Sequence, residues 1–177
     1  QKVDSVEGIS GMKLRGAGGL SDAALQELGA SVTMLSAAEQ FLALQTGTVD
    51  GISTTWSSYV NYGLSDVAPT YLAATVVRAP YLLIMNKAKY DALSDEAKTA
   101  IEESVKETID WSRENFEAEQ AELHEKVVSQ AQNVVEVSAE ESAKLRERMQ
   151  PLYKSFVEQN GEPAVKLMKR WEDVVAD

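Results

Sequence analysis

The residue best placed to do chemistry in this sequence is Arg15. It closes the run Met12-Lys13-Leu14-Arg15 and is followed by Gly16-Ala17-Gly18-Gly19 and a helical pattern. An arginine at a strand's carboxyl end, before a glycine-rich turn and a helix N-terminus, sits where backbone amides and the helix dipole favour negative charge. Its planar guanidinium adds a bidentate fork for a carboxylate or phosphate. A dinucleotide fingerprint is excluded, because the third glycine is replaced by Ser21, and no Gly-Lys-Ser/Thr phosphate loop is present. The same residues also describe an ordinary exposed arginine beside a flexible turn. Trp56, Tyr59 and Tyr62 follow a later strand and suit either a pocket wall or the core. His124 is the sole histidine and falls on the polar side of a long helix, the position of a solvated surface residue. The acidic residues are spread over helical faces and capping positions, and there are no cysteines. Nucleophile–base pairs and metal clusters therefore have no candidates, and the sequence offers no residues for catalysis.

The elements that must hold these residues alternate in type. Met12–Arg15, Ser31–Leu35 and Val49–Thr55 are predicted strands, separated by helices of about ten residues, the pattern of a parallel α/β sheet. Ser21 is the expected N-cap of the first helix, and Ser36-Ala37-Ala38-Glu39 a capping box for the second. A further helix is expected near Tyr59–Leu64, broken at Pro69, and the continuous apolar run within Ala79–Asn86 predicts a buried strand. From Ser94 onward the chain is helical. Ala97, Ile101, Val105, Ile109, Ser112, Phe116, Leu123 and Val127 form one apolar stripe on an otherwise charged helix of more than 30 residues. Val134–Val137 reads as a short strand and Ser138-Ala139-Glu140-Glu141 as a second capping box. Pro151 is expected to kink the helix that follows, and an amphipathic helix follows Gly161.

Seventeen basic against 28 acidic residues give a net charge of −11, which repels phosphate backbones and excludes nucleic acid as a partner. An anion site in such a field must depend on local positive groups, which returns attention to Arg15. No stretch approaches the roughly 20 apolar residues of a membrane-spanning helix.

The order of the motifs resembles a known family. Gly11-Met12-Lys13-Leu14-Arg15 resembles the GLKIR strand of TRAP-transporter substrate-binding proteins, the DctP-like family. The segment from Glu39 to Gly51, with Leu44-Gln45-Thr46-Gly47-Thr48-Val49-Asp50-Gly51, resembles that family's E-x-Y-x-A-L-Q-x-G-x-V-D-G motif. Ala79–Asn86 is similar to its next strand, and Leu93-Ser94-Asp95-Glu96 to the start of its long helix. The resemblance implies an α/β chain forming one lobe of a two-lobed periplasmic-binding-protein clamshell, with long C-terminal helices. It implies that Arg15 pairs with a substrate carboxylate and that the stretch Ile52–Trp56 faces the cleft. The expected ligand-binding set is thus Arg15, Thr54, Thr55, Trp56 and Tyr59, with no catalytic or metal residue and no cofactor. Thr54-Thr55-Trp56 stands where the dicarboxylate- and sialic-acid-type members carry Gln-Glu-Asn. This points to a monocarboxylate with an apolar or aromatic body.

The family has a complete lobe before the GLKIR strand, so this chain is expected to be a fragment without its N-terminal lobe. Residues 1–93 are expected to form the ligand-binding lobe with hinge-crossing strands, and residues 94–177 the helices that pack on it. The implied partners are a small organic acid and the membrane subunits of a TRAP permease, the implied location is periplasmic, and the fragment is expected to self-associate. Two other classes remain. A clamshell sensor domain would be marked by a flanking signalling domain, and a small α/β enzyme by turnover or a bound chromophore.

Overall fold

Three short strands carry the first half of the protein in the computed structural model, which describes residues 3–77 and 82–175. β1 (Lys13–Gly16) lies between β2 (Ser31–Met34) and β3 (Gly51–Ile52), all parallel, in the order β2-β1-β3. The register pairs Lys13 with Ser31 and Leu14 with both Val32 and Gly51. The Asp50 amide donates to the Lys13 carbonyl and the Ser53 amide to the Arg15 carbonyl, extending the pairing beyond the two regular residues of β3. Alternation along β1 puts Met12 and Leu14 on one face and Arg15 on the other. Met12 and Leu14 are buried in a core with Val6, Ile9, Leu25 and Leu28.

Two crossover helices return the chain to parallel strands. α1 (Leu20–Glu27) is capped by Gly19, not by Ser21, which lies inside its first turn. Gly19 adopts φ 54°, a conformation open to glycine at little cost. No side chain caps α1; Asp22 in its first turn instead reaches back to the preceding loop, its Oδ1 accepting from the Gly18 amide at 2.8 Å. The capping box before α2 (Gln40–Gln45) forms as expected, with the Glu39 carboxylate accepting from the Ser36 amide at 2.9 Å.

A Cβ added to Gly16 would overlap the Asp22 carboxylate and press on Val32. Gly16→Ala is therefore expected to push Asp22 out of its bond to Gly18 and to cost about 1–3 kcal/mol, read as a lower midpoint in chemical denaturation. An unchanged midpoint would mean the loop yields freely.

α3 (Trp56–Asn61) starts at Trp56, earlier than the sequence indicates, because Thr55 caps it: its Oγ1 accepts from the Ser58 amide at 3.2 Å. β4 (Thr70–Ala73) follows Pro69 and pairs in parallel with β5 (Asn133–Glu136), forming a second, two-stranded sheet. Part of the expected strand at Ala79–Asn86 lies outside the described residues. The rest, Leu82–Asn86, has no regular structure, and Leu82, Leu83, Ile84 and Met85 are 79%, 93%, 84% and 52% exposed. A buried strand needs neighbouring strands and a covering layer, and among the described residues this segment has neither. α4 (Lys87–Asp91) comes next, capped by Asn86.

α5 (Asp95–Gln130) has the expected Ser94 cap, which accepts from the Ala97 amide. Its stripe divides in two. Val127 is fully buried in a cluster with Tyr59 and Leu64, where α3 crosses it, while Ile101, Val105, Ile109 and Phe116 remain exposed. α6 (Ala139–Arg148) opens on the Ser138–Glu141 capping box. Pro151 does not kink one helix: α6 ends, and α7 (Gln150–Asn160) begins with the proline in its first turn, where a missing amide costs nothing. α8 (Glu162–Val175) follows Gly161. Leu145 of α6 and Met149 at its C-cap join the first core cluster, so the end of α6 packs against the core beneath β1.

Candidate functional site

The order β2-β1-β3 places a topological switch point at β1, because the chain runs from β1 to β2 on one side and then crosses back past β1 to add β3 on the other. The crevice beyond the carboxyl ends of such strands is where open α/β sheets bind ligands. Arg15 stands at that place. Its side chain is 8% exposed and spans the two neighbouring strand ends: Nε donates to the Leu35 carbonyl at 2.9 Å and Nη1 to the Ser53 carbonyl at 3.3 Å. Two of its five N–H groups are thereby used, and among the described residues no carboxylate pairs with the rest. Burial pulls the guanidinium below its ordinary pKa, and the negative charge of Asp22 pulls it back up. It stays cationic, since an arginine in a protein does not lose its proton.

The glycine-rich turn behaves differently from the expectation. Its anion-accepting amide at Gly18 is already filled by Asp22. The turn therefore serves to admit the close approach of Asp22 over Gly16, and the Gly18 amide is not open to an anion.

The other expected site residues fall into distinct roles. Thr54 is half-buried, and its hydroxyl has no hydrogen-bond partner among the described residues. Thr55 is exposed, but its hydroxyl caps α3 and also meets the Ser57 and Ser58 hydroxyls. Trp56 is half-buried, and its ring lies 4.8 Å from that of His124, tilted by 41°. Tyr59 is a core residue: it is 2% exposed, its hydroxyl donates to the Ala68 carbonyl at 2.8 Å, and its ring meets Tyr71 edge-on at 5.1 Å. Desolvation pushes the Tyr59 and Tyr71 phenols above their ordinary range, so both are neutral donors.

A cavity of about 320 Å³ lies between the two sheets, lined by Asp50–Thr54 on one side, Thr70–Leu72 on the other, and Met12 and Leu14. The structure brings Thr54 and Tyr59 to it, whereas Arg15, Thr55 and Trp56 lie outside its lining. The volume is at the lower end of small-molecule sites.

Two residues were not legible as participants. His124 is not simply solvated: its Nε2 lies 3.0 Å from Glu136 Oε1, and its ring meets Trp56. Their elements are 68 positions apart in sequence, and nothing in the local pattern joins them. Gln40 is 1% exposed, with Nε2 donating to Ala37 and Oε1 lacking a partner among the described residues. Its place on the inward face of α2 is the only signal the sequence holds.

Among the described residues no helix is long and apolar enough to cross a membrane, and no group of three or more potential ligands could hold a metal ion. The described fold matches solved structures over most of its length. A TRAP periplasmic solute-binding protein from Bradyrhizobium sp. BTAi1, in complex with α/β-D-galacturonate, is 27% identical with a TM-score of 0.83, covering 97% of this chain and 56% of that one. One from Pseudomonas aeruginosa PAO1 with bound L-malate is 27% identical with a TM-score of 0.78, covering 88% of this chain and 55% of that one. In sequence, a solute-binding protein of Chromohalobacter salexigens is 27% identical over 116 residues, 65% of this chain and 34% of that protein. The chain thus spans about a third of that relative's length and little more than half of the two matched structures. The family model for bacterial extracellular solute-binding proteins, family 7 (DctP), matches residues 1–160, and the chain belongs to that family.

Proposed function

We propose that this chain is the Arg15-bearing lobe of a periplasmic solute-binding protein that captures a small organic carboxylate and hands it to a TRAP-type membrane permease. The observation that carries this reading is the state of Arg15. A buried guanidinium is fixed by two backbone carbonyls at a switch point and keeps three N–H groups without a carboxylate partner among the described residues. A buried cation left unpaired is costly, and a ligand carboxylate entering the crevice removes that cost. Thr54 offers, at the neighbouring cavity, a hydroxyl without a partner among the described residues, Thr55 offers an exposed one and Trp56 an aromatic ring, while Tyr59 supports the floor from within the core. Organic acids seated in relatives, D-galacturonate and L-malate among them, agree with the class of ligand.

Within that class the monocarboxylates are favoured, since Arg15 places one cation at the end of β1 and Thr54-Thr55-Trp56 adds no second charge. Calorimetry on the protein with its N-terminal lobe, titrated with D-galacturonate, D-glucuronate and L-malate and with the uncharged sugars D-galactose and D-glucose, tests the proposal. Micromolar binding of a sugar acid with weaker binding of malate is expected. Equal or tighter binding of the uncharged sugars would overturn the carboxylate reading.

A further inference from the structure

The contact between Trp56 and His124 joins the two halves of the chain at the proposed site. Trp56 begins α3, directly after Thr54 and Thr55. His124 sits near the end of α5, and Glu136, which holds it, ends β5. The imidazole edge is fixed by the 3.0 Å hydrogen bond to Glu136 while its ring lies 4.8 Å from the indole. That arrangement sets a held imidazole against a half-buried indole. Trp56 otherwise packs against the buried Tyr59–Leu64–Val127 cluster, and its indole N–H has no hydrogen-bond partner among the described residues to set its orientation.

We propose that His124 is the positioning residue of Trp56: anchored by Glu136, it fixes the indole that shapes the body-binding part of the acid site. The proposal rests on the reading of Trp56 as a wall of that site. Charge enters through few groups. Glu136 faces the imidazole from β5, α3 carries no acidic or basic residue between Trp56 and Asn61, and the nearby Lys126 of α5 is paired with Glu122 at 2.6 Å. An imidazolium at His124 would make the Glu136 contact an ion pair and place a cation against the indole, which strengthens both contacts.

The test has two arms. In the first, Trp111 and Trp171 are changed to phenylalanine so that Trp56 alone reports, and no ligand is added. Because an imidazolium quenches indole emission, Trp56 fluorescence is expected to fall on acidification along a one-proton curve, and His124→Phe is expected to flatten it. A curve unchanged by that substitution overturns the bracing. In the second arm, D-galacturonate is titrated into the protein with its N-terminal lobe. His124→Ala is expected to bind about tenfold more weakly, whereas His124→Phe, which keeps a ring against Trp56, stays within about threefold. Full affinity in His124→Ala, or equal loss in both variants, overturns the positioning role. If the unmodified protein binds none of the acids, the function proposed above fails, and the ligand-free arm still decides whether His124 braces Trp56. Circular dichroism shows whether the variants fold, and His124, with a third of its side chain exposed, tolerates replacement on a helix.

Discussion

Arg15→Ala is expected to abolish acid binding at concentrations where the unmodified protein saturates. Removing one member of a desolvated, charge-assisted pair costs about 2–5 kcal/mol, and roughly 2.8 kcal/mol already corresponds to a hundredfold loss of affinity. The more informative variant is Arg15→Lys. The arginine spends Nε on Leu35 and Nη1 on Ser53, which holds the guanidinium in place and leaves one N–H on Nη1 and both on Nη2 for a ligand. A lysine has a single nitrogen. Bonded to either carbonyl it leaves the other short of a donor, and turned to the ligand it leaves both. Arg15→Lys should therefore restore charge without restoring affinity, remaining more than tenfold weaker than the native residue. Both variants remove strand-end hydrogen bonds, each worth about 1 kcal/mol, so their folding is checked by thermal melts alongside calorimetry. Near-native affinity in a folded Arg15→Ala protein would remove Arg15 from the site.

The contrast between Arg15 and His124 shows what the sequence makes legible. Arg15 can be placed because its chemistry and its position are local: a strand, a glycine turn and a helix within a dozen residues fix where the side chain must emerge. The capping boxes at Ser36 and Ser138 are legible for the same reason, each being complete within four residues. β4 is not, since its pairing partner β5 lies some 60 residues on, and a four-residue run after Pro69 has no pattern of its own. Leu82–Met85 misleads in the opposite sense. Its composition suits a buried strand, yet burial belongs to the surrounding layers and not to the run itself. Tyr59 and Trp56, three residues apart, were equivalent candidates as core or pocket. Only the packing of α3 across α5 separates them, burying one ring beside Val127 and leaving the other half open against His124.

The same packing sets what this chain should do by itself. Leu82, Leu83, Ile84 and Met85, together with Ile101, Val105, Ile109 and Phe116 along α5, are exposed apolar residues on a protein otherwise dense in charge. Apolar surface of that extent is the mark of a contact surface, and in the proposed clamshell it is what the N-terminal lobe covers. Without that lobe Arg15 meets its ligand from one side only. An arginine–carboxylate pair with access to water is worth about 0–1 kcal/mol, so binding in the millimolar range or weaker is expected, roughly −4 kcal/mol. The exposed stripe should meanwhile bring copies of the chain together, opposed by the net charge of −11, so that association strengthens as salt is raised. Light scattering should therefore report a mass above 19.3 kDa that grows with concentration and ionic strength. Ile109→Glu combined with Leu83→Glu should return the chain to a monomer without changing its helical content, since both side chains are exposed where they stand. Micromolar binding of a sugar acid by a monodisperse monomer of this chain would show that the lobe needs no partner and that the exposed stripe is not a contact surface.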